Sequence, residues 1–142
     1  KDIYSRVPRL CVDVVLLTKD GIVLTKRKQT SYNGKWHIPG GTVLYQESIR
    51  NAVKRVAEEE IGVAVTTVIW LGCVEYLHEE KEKGFGHSIG LAFLVDTKDD
   101  IPIVNRDGEE IKVFDRIPRN FVKAQRKLMY KVLDMDKNWR RR

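Results

Sequence analysis

The chain has 142 residues, 42% apolar and 32% charged, with 26 Lys and Arg against 20 Asp and Glu for a net +6. This composition supports one hydrophobic core and excludes wholesale disorder, and the length suits a single domain over residues 1–142. No apolar run reaches the ~20 residues of a membrane helix, and Lys1 to Arg9 is too polar for a signal peptide.

Leu10 to Leu17 is an apolar run broken only by Asp13 and predicts a buried strand. Lys19-Asp20-Gly21 signals a hairpin turn, with Ile22 to Thr25 as the return strand. Residues 28–35 read as a loop, and Trp36 to Thr42 as a tight glycine-bearing turn. A helix over Glu47 to Ile61 follows from Ile49, Ala52, Val53, Val56, Ala57 and Ile61 at spacings of 3 and 4, and Gly62 sits where a helix stops. Val63 to Tyr76 predicts one or two strands, Glu79 to Gly86 a charged loop, and His87 to Val95 a further strand. A loop over 97–108, a short strand over Glu110 to Phe114 and a second helix over Arg119 to Met135 complete the chain. Strands in both halves with few helices predict an α+β mixed sheet with helices packed on it. Cys11 and Cys73 both lie in strand-like apolar runs, which predicts two buried thiols in a reducing, cytoplasmic setting.

The basic excess is confined to the C-terminal segment. Residues 116–142 hold ten Lys and Arg against two Asp and Glu, so the preceding 115 residues carry a small net negative charge. No aromatic interleaving or base-reading motif accompanies that charge, so a solvated helix face is favoured over a nucleic-acid interface.

The physical anomaly is Glu58-Glu59-Glu60 in the last turn of the first helix. Carboxylates at the electronegative end of a helix are unfavourable by ~0.3–1 kcal/mol each. The helical spacing sends Glu58 to solvent and turns Glu59 and Glu60 toward the body of the protein. A divalent cation would offset this charge, and hard oxygen donors suit Mg²⁺ or Mn²⁺. On the helix alone, a solvated acidic face balanced by Lys54 and Arg55 explains the run equally well.

The spacing breaks the tie. Gly41-(five residues)-Glu47-(seven residues)-Arg55-Val56-Ala57-Glu58-Glu59-Glu60-Ile61-Gly62-Val63 resembles the Nudix box over residues 41–63. The lead-in Gly34-Lys35-Trp36-His37-Ile38-Pro39-Gly40 looks similar too, and the order of strands resembles the family over nearly the whole chain. The resemblance implies a Nudix fold, with a mixed sheet sandwiched between helices. It implies hydrolysis of a nucleoside diphosphate linked to another moiety, with Mg²⁺ or Mn²⁺ held on the box helix. Carried over residue by residue, Glu59, Glu60 and the Gly40 carbonyl would be metal ligands, with Glu59 and Glu60 catalytic. Glu47 and Arg55 would form a structural ion pair, framed by Gly41 and Gly62.

One departure matters. The box normally places Glu directly after the Arg, where this chain has Val56. The GDP-mannose mannosyl hydrolases also lack that Glu and displace GDP at the sugar carbon. Asp13 within the first strand, Lys26-Arg27 at the end of the second, Gly34-Lys35-Trp36, and His87 at a strand start all resemble that group. A buried Asp without a partner is costly, which favours Asp13 beside Arg27 across the hairpin; a strand edge or a structural hydrogen bond explains Asp13 equally well. The resemblance implies that Asp13 and Arg27 are catalytic, with substrate contacts from Arg27, Lys35, Trp36 and His87. Two further departures cut the other way: Thr42 replaces an Arg, and no His stands in Asn105-Arg106-Asp107-Gly108-Glu109-Glu110. Asp107, Glu109 or Glu110 then become candidates for the base or an extra metal ligand, with Asp107 placed among the ligands and His87 and His78 as other base candidates. Tyr32, Trp36 and Tyr45 are candidates to stack a base, and Arg27, Lys28 and Lys35 to meet phosphates. The expected substrate is a small-molecule nucleotide, foremost a nucleotide sugar such as GDP-mannose. The alternatives are pyrophosphohydrolysis of a nucleoside triphosphate or ADP-ribose, and a non-catalytic nucleotide-binding domain. No membrane or nucleic-acid partner is expected, and the resemblance leaves room for a homodimer.

Overall fold

A computed structural model describes residues 3–26, 34–77 and 86–140, with side chains described as far as residue 134. Among these residues, seven strands form one mixed sheet: β1 (Arg9–Thr18), β2 (Gly21–Lys26), β3 (Trp36–His37), β4 (Gly40–Thr42), β5 (Val65–Tyr76), β6 (Ser88–Thr97) and β7 (Glu110–Phe114). Among the described residues two α-helices accompany it, α1 (Ile49–Glu60) and α2 (Arg126–Arg140).

β1 organises the sheet. Along one edge its first half pairs antiparallel with β4, Val12 opposite Gly41 and Asp13 opposite Gly40. Its last residues turn through the Lys19–Asp20 hairpin into β2, with Thr18 opposite Gly21. Along the other edge it runs parallel to β6 from Arg9–Ser88 to Leu16–Val95. A parallel pair needs a long crossover, and that crossover contains α1. β5 pairs antiparallel with β6 at the outer edge and is irregular near Thr67 and near Gly72. β2 also carries β3 and β7.

The period-2 alternation of β1 splits the core into two layers. Val12, Val14 and Leu16 meet Ala52, Val53, Val56 and Ala57 of α1. Val15 faces the other way, with Ile22, Leu24, Ile38 and Ala92, and meets Leu128, Met129 and Val132 of α2. The sheet therefore lies between two helices, as the α+β sandwich reading requires.

α1 forms where its periodicity predicts. Ser48 caps it, its Oγ accepting from the Asn51 N–H at 3.1 Å. Gly62 ends it at φ +82°, a left-handed conformation that glycine adopts without steric cost.

Three expectations need correction. Trp36 to Thr42, read as a turn, holds the short strands β3 and β4, paired with β2 and β1. The second helix starts at Arg126, not Arg119. Asn120 and Val122 instead bond to the Trp36 backbone, and a short 3₁₀ turn (Lys123–Gln125) precedes the helix. Phe121 and Val122 are buried, so their apolar character is used in docking this segment against β3. Cys11 is buried as expected, but Cys73 is exposed. It lies on the outer strand β5 opposite Leu91, away from the part of the sheet that α1 covers. Among the described residues, no helix is long and apolar enough to cross a membrane.

Candidate active site

The site is built where β4 runs into α1 and where the loop before β7 folds onto the end of α1. Arg55 locks the first junction. Its Nε donates to Glu47 Oε2 at 2.7 Å, and its Nη2 donates to Glu47 Oε1 at 3.0 Å and to the Thr42 carbonyl at 2.7 Å. Its Nη1 donates to both Glu59 oxygens, at 3.3 and 3.1 Å. A guanidinium offers five N–H donors in a fixed fork, and five bonds are made here. Glu47 Oε1 also accepts from the Leu44 N–H at 3.0 Å, which fixes the loop ahead of the helix. The Arg55 guanidinium holds the Glu47 carboxyl below its ordinary range, and Glu47 in turn raises the pKa of Arg55.

Gly41 is required by contact. A Cβ there would lie 2.9 Å from Val56 Cγ2, so β4 and α1 approach as closely as they do only because position 41 has no side chain. Val56 itself is 1% exposed, within the apolar layer under α1. The position where the Nudix box usually carries Glu is here part of the core.

The three glutamates at the helix end separate as their spacing predicts. Glu58 is exposed, while Glu59 and Glu60 are half-buried. Their surroundings differ. Glu59 is held by two cations, Arg55 and, at 3.6 Å, Arg106. Glu60 faces Asp107 and Glu109 of the facing loop, with a carboxylate oxygen of each within 4.8 Å of the others. The structure thus brings Glu60 and Asp107 together, adds Glu109, and leaves Glu59 outside that group. Gly40 stands on β4 opposite Asp13. Three carboxylates held this close repel one another when ionised, which a cation among them would relieve.

Asn105 was missed by sequence reasoning. Its side chain is buried, and its Oδ1 accepts from the Asp107 and Glu109 N–H groups, both at 3.0 Å. Asn followed two residues later by Asp-Gly is a turn signal that could have located it. Tyr76 and Gln125 were missed as well. The Tyr76 hydroxyl donates to Asp13 Oδ2 at 2.9 Å and accepts from Gln125 Nε2 at 2.9 Å, while Gln125 Oε1 accepts from the Ile38 N–H at 2.8 Å. All four residues are buried, so the lone Asp of β1 is satisfied inside the core. Its carboxylate lies between Gly40 and Gly90, in space that side chains at those positions would fill.

Arg27, Lys28, Tyr32 and His78 lie outside the described residues. Lys35 is half-buried just before β3. Trp36 packs edge-on against Phe114 with ring centroids 4.8 Å apart, and Lys26 Nζ lies 5.7 Å from its ring centre. His87 is half-buried at the entry to β6, where its carbonyl accepts from the Arg9 N–H. Tyr45 is 92% exposed beyond β4.

Comparison with known proteins identifies the family and the fold. The NUDIX domain model matches residues 7–133. The chain is 34% identical over 116 residues to the low-salt glycan biosynthesis protein Agl8 of Haloferax volcanii, a match spanning 80% of this chain and 74% of that one. It is 30% identical over 108 residues to an ADP-ribose pyrophosphatase of Methanocaldococcus jannaschii, spanning 76% of this chain and 62% of that one. The crystal structure of a MutT NUDIX hydrolase from Burkholderia pseudomallei superposes with a TM-score of 0.77 at 26% identity, covering 89% of this chain and 99% of that one. With the domain model matched over residues 7–133 and a relative 34% identical over 80% of the chain, this chain belongs to the Nudix hydrolase family.

Proposed function

We propose that this chain is a divalent-metal-dependent hydrolase that splits a nucleoside-diphosphate sugar into the nucleoside diphosphate and free sugar, GDP-mannose being the first candidate. The observation that carries the metal requirement is the group formed by Glu60, Asp107 and Glu109. Its donors are all carboxylate oxygens, the hard set that Mg²⁺ and Mn²⁺ accept, so these residues fit such an ion. Glu60, Asp107 and Glu109 would hold the cation, with the Gly40 carbonyl as a further donor. When bound, it neutralises diphosphate charge and stabilises the departing phosphate.

The chain's own residues do the rest. Arg55 and Glu47 keep the loop between β4 and α1 in one shape, and Arg55 pairs with Glu59 as well. Arg27 and Lys35 are the proposed phosphate contacts. Trp36 and His87 are assigned to the remainder of the substrate. Position 56 supplies no carboxylate, so the proton of the attacking water goes to a carboxylate in the loop over 105–110.

The choice of a nucleotide sugar rests on two supports. Val56 is buried in the core, and the mannosyl hydrolases that the chain resembles also lack Glu at that place. A relative at 34% identity is named for glycan biosynthesis. The relative named an ADP-ribose pyrophosphatase supports a second reading, attack at phosphorus. The test is incubation with Mg²⁺ and GDP-mannose, ADP-ribose, other nucleotide sugars and nucleoside triphosphates, with products identified by mass spectrometry. GDP plus free sugar, abolished in Glu60→Gln, is expected. A nucleoside monophosphate would favour the second reading. No product from any substrate would overturn both.

A further inference from the structure

The loop that brings Asp107 and Glu109 to the helix end is folded around one buried amide. Asn105 accepts at Oδ1 from the backbone N–H groups of Asp107 and Glu109, each at 3.0 Å. Its Nδ2 donates to Glu109 Oε1 at 3.1 Å and to the Glu60 carbonyl at 3.3 Å. Its own backbone closes the turn, with its N–H donating to the Glu109 carbonyl at 2.9 Å and its carbonyl accepting from the Gly108 N–H at 3.0 Å. One side chain therefore reaches all three carboxylate residues without contributing a carboxylate. The bond to Glu60 also satisfies a carbonyl of the last helical turn, a group that lacks an intrahelical partner.

We propose that Asn105 is a positioning residue that presets Asp107 and Glu109 against Glu60, so that cation affinity at this group depends on an amide that touches no cation. This rests on the metal-dependent reading above. The physical reason is preorganisation. Asp107 is exposed, and without a tether its carboxylate, like that of Glu109, gains by moving apart from Glu60 into water. Asn105 sets this arrangement during folding, so that the repulsion is already overcome when a cation arrives. Residues that orient ligands in this way typically change metal affinity 10–100-fold when removed. Asn suits the place for a chemical reason: it donates and accepts together, whereas Asp lacks the donors and would add a fourth carboxylate. Arg106 is a weaker tether, 65% exposed and 3.6 Å from Glu59.

The test uses the full chain and reads Mn²⁺ binding without nucleotide, by calorimetry and by the electron paramagnetic resonance of bound Mn²⁺. Asn105→Ala is expected to raise the Mn²⁺ dissociation constant about 10–100-fold. At saturating metal its substrate KM is expected to stay within about 3-fold of the parent, since the amide meets no substrate. Arg106→Ala is expected to change the Mn²⁺ constant less than about 3-fold. Should Asn105→Ala fail to fold, Asn105→Ser keeps an acceptor for the loop amides and removes the two donated bonds, with a loss of about 10-fold expected. An unchanged Mn²⁺ constant in a folded Asn105 variant, alongside a lowered melting temperature, would overturn the proposal and leave Asn105 as a residue of loop stability alone. Wild-type Mn²⁺ binding unaltered by Glu60→Gln would instead overturn the metal-dependent reading, whatever Asn105 does.

Discussion

Gly41 and Val56 should be energetically coupled, and a double-mutant cycle measures by how much. Val56→Ala removes two buried methyl groups, about 1.6 kcal/mol of transfer free energy at ~0.8 kcal/mol each. The residual cavity, at ~24 cal/mol per Å³, brings the total to about 2.5 kcal/mol. Gly41→Ala inserts a methyl 2.9 Å from Val56 Cγ2, and the next two nearest atoms, at 3.6 and 3.9 Å, belong to the same side chain. Neither partner yields easily. Gly41 is fixed in β4 by its pairing with Val12, and a helical Val has one strongly preferred rotamer. That substitution alone should cost about 2 kcal/mol. In the double variant the new methyl occupies space that Val56 has vacated, so the total should be about 2.5 kcal/mol, well below the additive value. The expected coupling is thus about 2 kcal/mol. Urea unfolding of the four proteins, followed by circular dichroism at one pH, gives the cycle. Additivity within about 0.5 kcal/mol would refute the account of why position 41 is Gly and place Val56 elsewhere than against it.

Further expectations follow from the buried bonds. Arg55→Lys drops at least two of five donated hydrogen bonds and the fork geometry; discounted for partial exposure of the ion pairs, the cost is about 2 kcal/mol, read by thermal unfolding. A Tm within a degree of the parent would contradict it. Glu47 has a folded-state pKa below its ordinary 4.5 because of the Arg55 hydrogen bonds, so its contribution is fully present above pH 4.5 and is lost as pH falls through the lowered value. The Tm advantage of wild type over Glu47→Gln should therefore shrink on acidification below pH 4.5, and a gap independent of pH would be inconsistent with this. Tyr76→Phe removes one bond to Asp13 and one from Gln125 and should cost about 2 kcal/mol in urea unfolding; a change under 0.5 kcal/mol would show that the buried chain from Asp13 to Ile38 adds little.

The parts legible in the sequence are those set by local rules. The span of α1 followed from apolar spacing and the glycine after it, while its serine cap appeared only in the structure. The Lys19–Asp20 hairpin followed from its Asp-Gly step, and the burial of β1 from its continuous apolar run. The contact between Glu47 and Arg55 was available only through the resemblance, because an eight-residue separation with a turn between does not by itself predict an ion pair. What escaped depended on distant partners. Phe121 and Val122 have helical apolar spacing, but their burial against β3 ends the periodic segment early. Tyr76 meets Asp13 from 63 residues away, and Gln125 meets Tyr76 from 49 residues further on, which no local pattern reports. Cys73 looked like a core residue because a strand pattern does not say how far a helix extends over a sheet. Asn105 has the form of an ordinary turn residue; its reach to Glu60 exists only once the loop lies on the end of α1.

The most direct test of the proposed reaction is hydrolysis of GDP-mannose in ¹⁸O-labelled water with Mg²⁺, reading the label by mass spectrometry. The account predicts ¹⁸O in the released mannose and unlabelled GDP, because attack at the sugar carbon breaks the carbon–oxygen bond. Label in a phosphate, or release of GMP, would contradict it and would mean that water attacks phosphorus at a site without a carboxylate at position 56.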